Sequence, residues 1–333
     1  MKKGIAIAGN IIVDQMYPVS GFPKPGELVT ITGRLSQSVG GLLCNDIIDL
    51  AKLDPKMPLV AMGRVGDDET GEFAMNMMRP YPNIDLQHVK KGGVTAFTLV
   101  IEDQITKQRT FYTYRGANAD FGEADIPWDE LDVDMLHIGY ILLMDGLDAE
   151  DSEYGTVMAR ILHEAQKRGI KTSIDVISEA SDRFQRLVRP ALRYTDYCII
   201  NEVEAGATTG ITLRDESGRL LKDKMPEALK KMKELGVSTW AVIHCPELGM
   251  GLDEHNNLVE VPSLKLPEGW IAGTVGAGDA FCAGVLYGAW KELGLKTAIE
   301  LGTACAACSL SQPGGTEGVR SVEETMELYA KMR

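Results

Sequence analysis

The chain has 333 residues, and its 48 Asp and Glu against 34 Lys and Arg give a formal net charge of −14. This charge argues against a nucleic-acid surface, because phosphates demand clustered Lys and Arg. No apolar run approaches the ~20 residues that span a bilayer, so we expect no membrane segment. The six cysteines are scattered through apolar segments, which indicates a reducing, cytoplasmic location.

Short apolar runs alternate with helical patterns along most of the chain. The predicted strands are residues 4–13, 59–65, 135–140, 171–176, 196–200 and 239–244. The predicted helices are residues 69–78, 151–168, 183–193 and 226–235. Several strands are apolar on both faces, as parallel strands between two helix layers are. The alternation predicts an α/β fold with a doubly wound, mostly parallel sheet flanked by helices, in a single domain over residues 1–333.

Two stretches depart from this alternation. Residues 27–32 are predicted to form a strand that no helix follows, and residues 94–101 and 109–115 a β-hairpin. Because apolar and polar residues alternate there, we expect a small exposed β-sheet built from about residues 15–38 and 92–116. We interpret this small sheet as a lid over a cleft. The alternative is that it extends the edge of the main sheet.

The segment Gly276-Ala277-Gly278-Asp279 carries the most chemical information. It precedes a predicted helix over residues 280–290 that is apolar on nearly every side and should be buried. A glycine-rich turn at a buried helix start presents free N–H donors to an anion. A carboxylate beside them suits a base that deprotonates a hydroxyl next to a transferring phosphoryl group. The alternative is that Asp279 only caps the helix.

Other phosphate-binding signatures are missing from the sequence. It has no G-x-x-x-x-G-K-[ST] loop, no G-x-G-x-x-G after a strand and no protein-kinase catalytic loop. A phosphotransferase with this sequence would therefore have to hold its phosphate at Gly276–Gly278. The missing dinucleotide loop also disfavours a dehydrogenase.

The Gly-Ala-Gly-Asp helix start resembles the C-terminal signature of the ribokinase-like (PfkB) carbohydrate kinases. Four further landmarks follow the family's order: Gly9 to Asp14, Gly40-Gly41-Leu-Leu-Cys-Asn45, Gly116-Ala117-Asn118 and Asn201-Glu-Val-Glu204. The resemblance spans essentially the whole chain, and it implies a ribokinase-like fold with a small β-sheet lid. The order of five landmarks is more specific than any one of them.

The resemblance implies an ATP-dependent kinase that phosphorylates a primary hydroxymethyl group of a small sugar or sugar-like substrate. Asp279 would be the general base, with the N–H groups of Gly276, Ala277 and Gly278 as the anion hole. The implied substrate-binding residues are Asp14, Gly40, Gly41, Asn45, Asn10 and Arg115. The implied cofactor-binding residues are Asn201, Glu204, His244, Gly249, Thr274, Gly276 and Gly278. Mg²⁺ would lie near Asn201 and Glu204, through water, and a homodimer would form through the lid.

Some positions depart from the family pattern. Gly273 stands where several members carry an Asp that helps to bind a monovalent cation, so the resemblance leaves a monovalent-cation requirement open here. Pro246 stands where the nucleotide loop commonly has Gly. These two departures keep open a non-catalytic sugar- or nucleotide-binding regulator, and the apolar Leu42 and Leu43 near the sugar site keep open a nucleoside kinase. Arg115 and the hairpin residues Lys107 and Arg109 are candidates for pairing with an anionic group, or are solvated lid charges.

Overall fold

The computed structural model describes residues 2–106, 108–179 and 182–333. Over these residues the strands are Ile5–Gly9 (β1), Ile12–Val19 (β2), Ser36–Gly40 (β3), Leu59–Val65 (β4), Ile84–Lys91 (β5), Phe97–Asp103 (β6), Arg109–Tyr114 (β7), Met135–Ile141 (β8), Glu150–Asp151 (β9), Gly155–Thr156 (β10), Lys171–Val176 (β11), Tyr197–Asn201 (β12), Trp240–His244 (β13), Leu248–Leu252 (β14) and Leu258–Pro262 (β15). The helices are Leu42–Leu53 (α1), Glu69–Met78 (α2), Asp145–Asp148 (α3), Val157–Lys167 (α4), Phe184–Leu192 (α5), Glu202–Thr209 (α6), Met225–Leu235 (α7), Ala277–Trp290 (α8), Leu295–Ser309 (α9) and Val322–Met332 (α10).

Nine of the described strands form one large sheet in the order β15-β14-β13-β12-β11-β8-β1-β4-β5. The seven strands from β13 to β5 pair in parallel, and β14 and β15 add an antiparallel edge. In β1, Ile5 and Ile7 face a core cluster with α1, α8 and α9, while Ala6 and Ala8 face a second cluster with α4 and α5. Helices therefore cover both faces, which confirms the doubly wound, mostly parallel sheet.

The predicted first strand, residues 4–13, is two strands in different sheets. β1 ends at Gly9 in the large sheet, and β2 begins at Ile12 in a separate four-stranded sheet, ordered β3-β2-β6-β7. The amide of Asn118 accepts the backbone N–H of Ile11 and donates to its carbonyl, at 3.2 and 3.0 Å. These bonds replace ladder bonds at Ile11, so the chain can leave one sheet and enter the other.

Two other predicted elements differ from the structure. Residues 27–32 are not a strand: only an isolated bridge joins Ile31 to Val19, and Leu28 is 96% exposed, because no neighbouring strand covers this segment. The helix predicted from residue 151 begins at Val157, where Thr156 caps it. The carboxylate of Asp151 accepts the N–H groups of Glu153 and Tyr154, which forms a turn instead of a helix.

The small sheet contains residues from both segments predicted to form it. β6 and β7 pair as the predicted antiparallel hairpin. Lys107, in the hairpin turn, lies outside the described residues, and Arg109 lies 3.8 Å from the carboxylate of Glu102. Among the described residues, no helix has the combination of length and apolar character needed to cross a bilayer.

Candidate active site

The start of α8 lies at the carboxyl edge of the large sheet and depends on a glycine. Gly276 precedes the helix with a φ of 74°, and a Cβ there would lie 2.5 Å from the Cα of Gly315. α8 then begins at Ala277, three residues earlier than predicted. The N–H groups of its first turn have no partner within the helix, so they are available to an anion. Asp279 lies inside this first turn, and no side chain caps the helix, so the capping interpretation of Asp279 was wrong.

The carboxylate of Asp279 is buried and bound at both oxygens. Its Oδ2 accepts a 2.6 Å hydrogen bond from the amide of Asn45 on α1, and its Oδ1 accepts a 2.5 Å bond from the hydroxyl of Tyr140 on β8. Burial raises the pKa of Asp279, and these two hydrogen bonds act in the opposite direction. Three segments that are distant in sequence therefore converge on one carboxylate.

Asn10 connects the strand edge to the start of α1. Its Oδ1 accepts the backbone N–H groups of Leu42 and Tyr140, at 3.2 and 3.3 Å, and its Nδ2 is buried without a protein partner. Gly41 has a φ of 83°, and a Cβ there would lie 2.6 Å from the carbonyl oxygen of Asn10. The second glycine of the Gly40-Gly41 pair thus allows α1 to begin directly against Asn10.

Asp14 lies on β2 beside Gly40. A Cβ on Gly40 would be 3.1 Å from Asp14 Oδ2, so the glycine leaves open space next to this carboxylate. Burial raises the pKa of Asp14, and a hydrogen bond from Thr98 on β6 opposes the shift. Arg115 lies after β7, where its guanidinium contacts the carboxylate of Asp145 and the carbonyl of Leu142. The structure therefore gives Arg115 protein partners on α3 and the loop before it.

Asn201 and Glu204 form a capping box at the start of α6. Asn201 Oδ1 accepts the N–H of Glu204 at 2.9 Å, and the Glu204 carboxylate accepts the N–H of Asn201 at 2.9 Å and the hydroxyl of Ser178 at 2.6 Å. Burial raises the pKa of Glu204 to about 7, and Asp279 adds to the shift. Burial, Glu204 and Asp279 in turn raise the pKa of Asp175 at the end of β11. This edge of the sheet therefore gathers buried carboxyl groups whose ionisation is disfavoured.

A cavity of about 660 Å³ opens beside the start of α8. The predicted residues that line it are Asn201, His244, Gly249, Thr274, Ala277 and Gly278. Its remaining wall is mostly apolar and includes Leu264, Ile271 and Phe281. The His244 ring stacks on Phe281 at 4.7 Å, and burial lowers the pKa of His244 to about 4, so the ring is neutral. The cavity suits a flat, largely apolar group with an anion directed at the helix.

The sequence prediction missed a second buried polar group beneath the site. Asp46 Oδ2 lies 2.9 Å from His137 Nε2, and His137 Nδ1 lies 2.9 Å from Ser173 Oγ, with all three residues fully buried. Burial lowers the pKa of His137 to about 3, so the ring is neutral and its close contact with Asp46 is not an ion pair. Cys282 Sγ lies 3.8 Å from the same nitrogen. Burial also raises the pKa of Cys282.

The structure also shows where three departures from the family pattern lie. Leu42 and Leu43 are fully buried in the core on the α8 side of the sheet, which removes the reason for expecting an apolar substrate at this point. A Cβ on Gly273 would lie 2.8 Å from the Cα and carbonyl oxygen of Pro313, so the loop leaves no room there for an Asp side chain. Pro246 lies in the cavity wall.

The comparison with known families agrees with this geometry. The sequence model of the pfkB family of carbohydrate kinases matches residues 2–321. The chain belongs to this family. The matched range includes every element of the site, from β1 through the loop after α9.

Individual pfkB relatives are distant but similar in length. A ribokinase of Haemophilus influenzae is 25% identical over 332 residues, covering 98% of this chain and 98% of the relative. A 5-dehydro-2-deoxygluconokinase of Clostridium perfringens is 22% identical, covering 90% of this chain and 86% of the relative. The structure of an Arabidopsis thaliana ribokinase with ribose and ATP matches with a TM-score of 0.79 at 17% identity, covering 99% of each chain. This structural match shows the ribokinase-like fold.

The Asp46–His137 contact leads to a stability prediction. His137→Leu should lower the free energy of unfolding by about 2–3 kcal/mol, because Ser173 would lose its buried hydrogen-bond partner and Asp46 its nearest polar neighbour. Asp46→Asn retains a polar group of the same shape and should cost less than half as much. Urea unfolding of both variants measures the difference. Equal losses, or no loss in His137→Leu, would show that the pair does not stabilise the fold.

Proposed function

We propose that this protein transfers the γ-phosphoryl group of ATP to a primary hydroxymethyl group of a small sugar or sugar-like substrate. The observation that carries the proposal is the buried Asp279 carboxylate in the first turn of α8, next to free helix N–H groups and a cavity of about 660 Å³. A base and an anion site at one helix start are what phosphoryl transfer to an alcohol requires. The pfkB family and the names of the relatives support the same reaction class.

The nucleotide would occupy the cavity. Its apolar wall of Leu264, Ile271 and Phe281 offers contact area for the adenine base, and Thr274 and Gly278 lie on the side toward α8. The triphosphate would then extend to the N–H groups at Gly276–Gly278, where the helix dipole favours negative charge. The Arabidopsis ribokinase with ribose and ATP, which has the same fold, is consistent with this assignment.

Mg²⁺ would be held near Asn201 and Glu204. The side-chain oxygens of both residues already accept hydrogen bonds within the capping box, so contact through water fits better than direct ligation. Burial raises the pKa values of both Glu204 and Asp175, and Glu204 adds to the shift of Asp175, so a divalent cation nearby would favour the ionised carboxylates. When bound, Mg²⁺ would neutralise charge on the phosphates. No Asp occupies position 273, so we do not include a monovalent cation.

The sugar would bind between the small sheet and the start of α1. Asp14, Asn10 and Asn45 present carboxylate and amide groups there, and Gly40 and Gly41 keep the space around them open. Arg115, at the end of β7, would adjoin this site. The small sheet would act as a lid that excludes water, which otherwise competes as phosphoryl acceptor. We place the lid in the same domain as the large sheet, since β2 follows β1 directly.

A substrate panel tests the reaction class. ADP formation would be measured with Mg²⁺–ATP and D-ribose, D-fructose, 5-dehydro-2-deoxygluconate, adenosine or cytidine. We expect turnover with at least one sugar and little with the nucleosides. Turnover with the nucleosides alone would favour a nucleoside kinase. Binding of ATP and a sugar without turnover would favour a regulator.

Asp279 provides the sharpest test of the mechanism. In Asp279→Asn, kcat should fall ~10²–10⁴-fold with little change in KM, because the base acts on the proton in the transition state. Asp134→Asn is the matched control, since Asp134 lies just before β8, at the opposite edge of the sheet, and binds Trp290 and the start of the chain. An unchanged kcat in Asp279→Asn would remove this residue from the mechanism.

The helix-start glycines give a second test. Gly276→Ala combines a positive φ with a 2.5 Å contact to Gly315, so it should displace the anion loop and lower kcat at least ~10²-fold. Gly278→Ala fits the fold, because the added Cβ would lie 3.4 Å from its nearest neighbour, His244. Its Tm should therefore equal that of the wild-type chain, while the KM for ATP rises. Gly269→Ala, with a φ of 77° and open surroundings, is the control for backbone strain alone. Wild-type kinetics in Gly278→Ala would argue against phosphate at this turn.

We also propose that the small sheet forms a homodimer interface. β7 is an edge strand, and Phe111, Tyr112 and Tyr114 on it are all about half exposed or more. An edge strand with exposed aromatic side chains favours pairing with a second copy. This arrangement would bring the two lids together.

Sedimentation velocity tests the interface. The wild-type chain should sediment as a dimer, and Phe111→Glu should shift it toward monomer by burying a charge at the contact. Leu258→Glu is the matched control, because Leu258 is an equally apolar, half-exposed residue on β15, the edge of the large sheet. A dimer that persists in Phe111→Glu but dissociates in Leu258→Glu would place the interface on the other sheet.

We assign the protein to the cytoplasm. All six cysteines lie within the described residues and are free thiols, five of them buried. Free thiols are typical of a reducing compartment.

A further inference from the structure

The hydroxyl of Tyr140 lies directly against the proposed base. It donates a 2.5 Å hydrogen bond to Asp279 Oδ1, while Asn45 holds Oδ2 at 2.6 Å. A carboxylate oxygen has two acceptor lone pairs, so each oxygen can take one fixed donor and still accept a substrate proton. Two donors on opposite oxygens also fix the plane of the carboxylate.

From this geometry, and resting on the proposed role of Asp279 as base, we propose that Tyr140 is a positioning residue that orients the Asp279 carboxylate and keeps it ionised between turnovers. Tyr140 would not exchange a proton with the substrate. Burial and the nearby acids raise the pKa of its hydroxyl well above the usual value, so the phenol stays protonated and remains a donor.

The surroundings of Asp279 explain why such a donor is needed. The titratable groups that face it are Asp46 and Asp49 on α1, Tyr140 on β8, Asp175 on β11, Glu204 on α6 and Cys282 on α8 itself. These groups are acidic, so each ionised neighbour makes a second negative charge less favourable. Burial acts in the same direction. The neutral donors Asn45 and Tyr140 therefore act against both effects.

Tyr140 is held firmly enough for this role. Its backbone N–H donates to Asn10 Oδ1, and its side chain is 9% exposed. Three residues earlier on β8, His137 Nε2 lies 2.9 Å from Oδ2 of Asp46, the neighbour of Asn45 on α1. One buried link thus joins the two elements that supply both donors to Asp279.

The test is the pH dependence of kcat/KM for Tyr140→Phe, measured with Mg²⁺–ATP and the panel sugar that gives the highest turnover. Loss of a hydrogen bond to the ionised form raises the pKa of Asp279, so the acid limb should move up by about one pH unit. At pH values below the acid limb, kcat/KM should be ~10-fold lower than in the wild-type chain. At high pH it should recover to the wild-type value, with little change in KM. Tyr287→Phe, which removes a hydroxyl that donates to Asp54 at 3.2 Å, should leave the profile unchanged.

A second measurement does not depend on turnover. Infrared difference spectra between each form and its Asp279→Asn counterpart report the protonated-carboxyl band of Asp279 across pH. That band should appear at higher pH in Tyr140→Phe than in the wild-type chain.

The outcomes distinguish the role of Tyr140 from the role of Asp279 as the base. A fully active Asp279→Asn variant would end the assignment of the base, and with it this proposal. An inactive Asp279→Asn together with an unshifted profile and carboxyl band in Tyr140→Phe would overturn only the role of Tyr140. A loss of activity that is equal at every pH would likewise count against it, because a purely structural contact has no reason to follow the ionisation of Asp279.

Discussion

The buried carboxylate of Asp279 and its two hydrogen bonds organise the rest of the site. A carboxylate taken out of water is costly unless donors replace the lost solvent. Here Asn45 and Tyr140 supply those donors, from positions 234 and 139 residues away in sequence. The bonds bring the starts of α1 and α8 together at the end of β8. The proposed sugar-binding turn and the proposed anion hole therefore meet at one point.

The same edge of the sheet gathers four buried carboxyl groups that have few basic partners. Asp46, Asp175, Glu204 and Asp279 have elevated pKa values, and burial is the largest cause for each. Such a cluster is tolerated when protons or cations compensate it. A nucleotide that bound with Mg²⁺, as we propose, would bring that compensation, so acids that cost stability in the empty protein would favour the loaded one.

Much of the fold could be predicted from sequence, because the α/β alternation and the strand ends are local patterns. The Gly276–Asp279 turn was equally visible, since glycines directly before an apolar helix are typical of a turn that binds an anion. The role of Tyr140 could not be predicted in this way, because Tyr140 ends an apolar strand and resembles any other core residue there. The position itself was the available signal: in a parallel sheet, carboxyl ends of strands gather at the ligand edge.

The split of the first predicted strand shows a different limit. Residues 4–13 are apolar apart from Asn10, and hydrophobic pattern alone cannot reveal that the chain changes sheets at that residue. The change depends on Asn118, more than a hundred residues later, whose amide satisfies both backbone groups of Ile11. Asn10, one residue earlier, binds the start of α1 and the end of β8.

Two adjacent residues, Asn10 and Ile11, therefore connect the small sheet to the site. β2 starts two residues after Asn10 and carries Asp14, so any displacement of this strand moves a carboxylate relative to the start of α1. Because the pairing of β2 with β6 links Asp14 to Thr98, the movement would extend into the hairpin. If the small sheet closes as proposed, its closure and the alignment of the substrate would be parts of one motion about Asn10 and Ile11, rather than separate events.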